Sequence, residues 1–245
     1  MSSPEIGTDS DPQHWHEQTD AGNGNRLNAL RAAVPGANDG IVSTAGIVMG
    51  VAGATSDRTT ILIAGVAGLV AGAMSMGTGE YVSVSTQRDS EKSILRLEAE
   101  ELEAMPETEQ RELAKMYEEK GLDAALAEQV AAQLTAHDAL AAHADIEFGI
   151  DPDELTNPRH AAWASMIAFT LGALLPLLCV VLVPADARIV ITVLAVVLAP
   201  ALTGFVSARL SLSPRLRAIL RNVIGGLLAM GVTYLIGSPV GMGIG

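Results

Sequence analysis

TILIAGVAGLVAGAMSMGTGEYV, residues 60–82, runs directly into SVSTQRDSEKSILRLEAEELEA, residues 83–104. The first part has the length and apolar character that a helix needs to cross a bilayer, about 20 residues. The second continues the helical pattern but is charged, so the chain reads as one helix that leaves a membrane and goes on into water. Loops between membrane helices are usually short. Here residues 83–160 carry 19 of the chain's 28 carboxylates against seven Lys or Arg. That insert is a domain, and carboxylates gathered on helices beside a membrane path suit the collection of a divalent cation.

Outward from this stretch, four further segments have membrane-helix character: roughly 35–55, 161–183, 187–208 and 219–240. Pro176 and Pro200 lie inside two of them and read as kinks, since the apolar pattern continues past each. The expected fold is an all-α membrane protein. Five transmembrane helices carry a cytosolic, acidic three-helix insert between spans 2 and 3. In chain order that gives a disordered polar tail over 1–25, spans 1 and 2 within 26–82, the insert over 83–160, and spans 3 to 5 within 161–245. The tail has neither the basic start nor the apolar core of a signal peptide. It holds His14 and His16, which flank Trp15.

Composition agrees with helices packed in lipid. Of 245 residues only 3% are aromatic, while Gly and Ala abound, as expected where backbones approach closely. The net charge of −13 is concentrated in the insert and the tail. No basic face is available to neutralise phosphates, which argues against a nucleic-acid partner. The one cysteine, Cys179, lies in an apolar run and reads as packing. Basic residues are biased: Arg58 and Arg188 are the only ones in the 1–2 and 3–4 connections. The positive-inside rule then puts the N-terminus and the insert in the cytoplasm and the C-terminus outside. Gly46 and Gly50 in span 1, and Gly68 and Gly72 in span 2, have GxxxG spacing and read as helix-packing sites, within a subunit or across a dimer.

Ionisable groups inside a bilayer are costly and by default functional. Asp39 lies about one turn into span 1. At the cytoplasmic end of span 2, Met76 and Glu80 continue the four-residue stripe begun by Gly68 and Gly72. Asp39, Met76 and Glu80 are therefore the candidate transport path, two carboxylates and a thioether for a partly dehydrated ion. Asn38 is either a partner for Asp39 or a helix cap.

In the insert, Pro106 breaks the pattern and opens a second helix to about Glu119, with Gly121 at its C-cap. A third helix runs from about Asp123 to Glu147. Residues three apart share a helix face, so Glu98 and Glu101 form one pair and Glu109 and Glu112 another. A fold-back at Pro106 brings the pairs together, with Glu147 closing the cluster and His143 and His137 as further ligands. Oxygen-rich sites of this kind suit Mn²⁺ and Fe²⁺. The competing interpretation is a solvated amphipathic hairpin with surface glutamates. No ExxH motif occurs in the insert, which argues against a ferritin-type di-iron bundle.

Two runs carry a family resemblance: Asn38-Asp39-Gly40-Ile41-Val42-Ser43-Thr44 and Ser75-Met76-Gly77-Thr78-Gly79-Glu80-Tyr81-Val82-Ser83-Val84. Together with the long 2–3 insertion they resemble the vacuolar iron transporter family, across nearly the whole chain after residue 25. The resemblance implies a homodimer with the path at the subunit interface. It also implies export of Fe²⁺ or Mn²⁺ from the cytosol in exchange for protons. Asp39 and Met76 match the family's span 1 carboxylate and span 2 methionine. Glu98, Glu101, Glu109, Glu112 and Glu147 match its insert glutamates. The chain departs from the family at His143 and Ala144, where many members have two methionines. It departs again at Gly68, in a span where some members carry a further deep carboxylate.

The function expected from sequence is thus an Fe²⁺/Mn²⁺ exporter of the inner (plasma) membrane, with the ion as substrate and no permanent cofactor. Metal ions and lipid are its partners. The alternative is a membrane-anchored metal sensor or storage module without transport. No nucleophile–base arrangement, phosphate loop or Cys/His zinc spacing points to an enzyme.

Overall fold

The computed structural model describes residues 21–210 and 214–244, with side chains over 33–209 and 214–242. His14 and His16 lie outside the described residues. All regular structure among the described residues is helical: α1 (Ala21–Ala54), α2 (Arg58–Ala104), α3 (Pro106–Glu119), α4 (Ala124–His143), a π-helical turn (Ala144–Phe148), α5 (Pro158–Leu182), α6 (Ala185–Leu210) and α7 (Arg215–Ile244). The chain divides into two compact units. One is built from residues up to Gly72 and from Ile167 onward, the other from Ala73–Met166. The second is wider at both ends than the insert expected over 83–160.

Among the described residues, four helices are long and apolar enough to cross a membrane: α2, α5, α6 and α7. The protein is a multi-pass membrane protein. α1, expected as the first span, is not among the four, because Asn38, Asp39, Ser43 and Thr44 dilute its apolar run. Much of its surface is covered by other helices. Ile41, Ala45 and Met49 pack with Val196 of α6 and Met230 of α7. Val48 packs with Ile61 of α2 and with Leu177 and Val180 of α5. A helix enclosed by other helices meets little solvent or lipid, so it does not need an apolar outer surface. The opposite holds for α5 and α6, where Leu171, Leu174, Leu178, Leu194, Leu198 and Leu202 are exposed in helical register, the face that lipid covers.

Close backbone approach locks α1 in place. A Cβ at Gly40 would meet the Phe169 carbonyl of α5, and one at Gly172 of α5 would meet the Ala37 carbonyl of α1. Gly46 and Gly50 both face Thr233 of α7, Gly68 faces Ile47 of α1, and Gly72 faces the Phe169 ring. α5 and α6 continue past Pro176 and Pro200.

In the second unit, α2 ends at Ala104 and α3 begins at Pro106, whose missing N–H is harmless at a first helical position. Gly121, at φ 105°, ends α3: its N–H donates to Glu118, and that of Leu122 donates to Tyr117. Asp123 caps α4 by accepting from the Leu126 N–H at 3.0 Å. Leu113, Ala114 and Ala131 form the buried seam of the α3–α4 hairpin, flanked by Tyr117, Leu134, Ala142 and Ile146. The third helix is not continuous to Glu147 as the sequence led one to expect. It is broken at Asp138 (φ −158°, ψ 96°), whose carboxylate accepts from the Ala141 N–H at 2.9 Å and so caps a new start. The chain then widens into the π turn, which ends at Gly149 (φ 64°).

Candidate metal centre

Three helices of the Ala73–Met166 unit each supply one side chain to a common point. Glu98 comes from α2, Glu109 from the first turn of α3, and His143 from the end of α4. One ligand atom of each lies within 4.8 Å of the others, and all three residues are buried, at 4%, 5% and 0% exposure. Each position follows from local sequence. Glu98 sits on the stripe of Ile94, Leu95 and Leu102, so its helix turns it inward. Glu109 is one turn before Leu113, which is fully buried. His143 follows the Asp138 break, which starts the final turns of α4 afresh.

The polar atoms here are not satisfied by the protein. His143 Nδ1 lies 3.0 Å from Glu98 Oε1, yet neither atom has a partner in hydrogen-bond geometry, and His143 Nε2 has none either. Burial and the neighbouring charges of Glu109, Glu101 and Glu112 push the Glu98 carboxyl above the ordinary carboxylate range. Burial also raises Glu147, reinforced by Glu98 and Glu112, while His143 lowers it. Glu101, Glu112 and Glu147 are themselves exposed. The six predicted ligands therefore split into a buried trio and an exposed acidic rim. Two buried carboxylates beside an unpartnered imidazole are unfavourable unless protons or a cation neutralise them. Two oxygens and one nitrogen at this spacing can serve as three ligands of one divalent ion.

The model of the VIT family matches residues 30–238. The chain belongs to the VIT family. It is 40% identical over 210 residues to the "Vacuolar iron transporter" of Acanthamoeba castellanii, covering 85% of this chain and 77% of that protein. It is 37% identical over 218 residues to "Vacuolar iron transporter homolog 3" of Arabidopsis thaliana, covering 87% and 86%. It is 35% identical over 211 residues to "VIT-like transporter 1b" of Glycine max, covering 85% and 75%. Membership makes the chain a membrane transporter and not an enzyme, and a metal ion in it is cargo, not a resident cofactor.

The other predicted residues of this VIT-family chain are placed as follows. Asp39 is exposed, and its carbonyl accepts from Ser43 Oγ at 2.6 Å. Asn38 is not its partner: Asn38 Oδ1 accepts from Thr203 Oγ1 of α6 at 3.2 Å. Met76 and Glu80 are half-buried on α2. His137 is exposed and outside the trio. Sequence spacing treated Glu98 and Glu101 as equivalent, as it did Glu109 and Glu112. The signal that separates them is the apolar register, which only Glu98 and Glu109 share. The Asp138 break and the π turn carry no comparable signal.

Proposed function

We propose that the chain exports Fe²⁺ or Mn²⁺ from the cytosol across the plasma membrane in exchange for protons. The observation that carries the proposal is the buried trio of Glu98, Glu109 and His143 with its unpartnered atoms. A cation supplies the partner these atoms lack, and oxygen with imidazole nitrogen suits borderline divalent ions. Relatives named as iron transporters support the cargo class. The rim of Glu101, Glu112 and Glu147 attracts the ion, and the trio binds it. Asp39, Met76 and Glu80 then pass it through the membrane. The polar, enclosed α1 supports its counting as a fifth span, with the N-terminus and the insert cytoplasmic. Exposure of Asp39 supports a second copy completing the path in a homodimer, since a carboxylate at membrane depth needs a polar surrounding.

The test is flux in proteoliposomes holding the full chain, with Fe²⁺ (kept reduced) and Mn²⁺ in parallel, with and without a pH gradient. Transport that a gradient accelerates and that Asp39→Ala abolishes is expected, with metal binding by the insert retained. Binding without flux in the unaltered protein would instead mark a membrane-anchored sensor or store.

A further inference from the structure

Among the described residues of the second unit, otherwise rich in carboxylate, lies a basic pocket. It is open, about 390 Å³ in volume, and lined by Tyr81, Ser85, Arg88, Asp89 and Lys92 of α2 and by Asn157, Pro158 and Arg159 at the start of α5. Three of the insert's seven cations therefore line one cavity. Among the described residues none of the three is within ion-pair distance of a carboxylate, since the ion pair found there is His143 with Glu98. Arg88 Nε is buried without a hydrogen-bond partner. Asn157 caps α5, its side chain accepting from the Arg159 N–H at 3.0 Å, so the positive end of a 25-residue helix dipole also opens here.

The level of the pocket along the chain is informative. Tyr81 lies where the apolar part of α2 ends, and Pro158 and Arg159 just precede the apolar run of α5. Both walls thus belong to the headgroup level, where aromatic residues collect. Trp163, one turn into α5, is 60% exposed and fits the same belt.

We propose that this pocket binds the phosphodiester headgroup of an anionic glycerophospholipid. Arg88, Lys92 and Arg159 neutralise the phosphate. Ser85, the Tyr81 hydroxyl, Asn157 and the Asp89 carboxylate meet headgroup hydroxyls, and the lining leaves a net positive charge that disfavours a neutral headgroup. Lipid, not free phosphate, is the occupant because the pocket opens at the depth where lipid phosphates lie. The bound lipid joins the span-bearing α2 to the start of α5, next to the domain that gathers the cargo.

The test uses the delipidated full chain in detergent. Native mass spectrometry reads retention of phosphatidylglycerol, phosphatidylethanolamine and phosphatidylcholine, with inorganic phosphate as competitor. Phosphatidylglycerol should be retained at least tenfold better than the other two. The preference should fall to near unity in the R88Q/K92Q/R159Q variant and persist in R88K. Millimolar inorganic phosphate should not displace it. Lys92 is exposed on α2, so K92Q alone, checked for an unchanged melting temperature, should lower retention several-fold without the question of misfolding. Equal retention of all three lipids, indifference to the substitutions, or displacement by inorganic phosphate would overturn the proposal.

Discussion

Glu98→Gln should have opposite effects on stability with and without metal. In the metal-free protein, the Glu98 carboxyl is buried among like charges and raised above its ordinary value. Between the ordinary carboxylate pKa and the raised folded one, the folded state holds more protons than the unfolded chain. Stability therefore falls as pH rises through that window, and the loss is complete once Glu98 is ionised in the folded state. A neutral Gln of the same shape removes the loss, so the metal-free variant should melt higher than the parent at pH 7. With metal the order reverses. At free Mn²⁺ a hundred times Kd, binding adds about 2.7 kcal/mol. For a unit of this size that raises the melting temperature by about 10–20 °C, at about 4–8 °C per kcal/mol. Replacing a charged ligand by an amide forfeits about 1.5–3 kcal/mol of interaction, a roughly 10- to 150-fold loss of affinity. At the same free Mn²⁺ the variant then gains only about 0.3–1.4 kcal/mol, or about 1–11 °C. Melting of the purified full chain, followed by circular dichroism at 222 nm with and without Mn²⁺, reads both effects. Equal metal-induced rises in parent and variant, or a metal-free variant that melts lower, would refute the reasoning.

Three further outcomes are expected. Mn²⁺ affinity measured by calorimetry should weaken as pH drops through the raised titration range of Glu98 and Glu147, since protons then compete with the ion for the carboxylates; a flat profile down to the ordinary carboxylate range would contradict a carboxylate site. Asp138→Ala removes the cap on the final turns of α4 and should cost about 1 kcal/mol while loosening His143, seen as weaker Mn²⁺ binding that Asp138→Asn partly restores. Gly172→Ala drives a methyl into the Ala37 carbonyl, which cannot rotate away within a helix; it should destabilise by about 1–3 kcal/mol and lower the yield of folded protein on size-exclusion chromatography, whereas Gly225→Ala, which meets nothing nearby, should be tolerated.

Helix existence was legible wherever the signal is local. Pro106 and Gly121 punctuate the chain because one lacks an N–H and the other accepts φ 105°. The apolar runs of α2, α5, α6 and α7 are long enough to announce themselves. α1 was harder for a physical reason. Hydropathy measures how well a helix suits lipid, and much of α1 packs against other helices instead, with Asn38 meeting Thr203 of α6. The break at Asp138 is similar: an aspartate caps a turn only if its own backbone leaves the helical region, and nothing nearby in sequence demands that.

The candidate site shows the same division between local and distant causes, and it sharpens what the acidic insert can do. Six candidate ligands were legible as residue types, yet spacing alone did not separate the members of each glutamate pair. The fold instead brings one carboxylate from each pair together with His143 and leaves Glu101, Glu112 and Glu147 exposed. Selection of this kind has a chemical consequence. An exposed carboxylate ring holds ions weakly and without much choice, because water competes for every ligand position. A buried pair of carboxylates with an imidazole discriminates by geometry and donor type, and it must lose protons to bind. Under the proposed function, cargo capture at the trio is tied to proton release. In the exchange of metal for protons proposed above, the buried trio is the step that supplies this coupling.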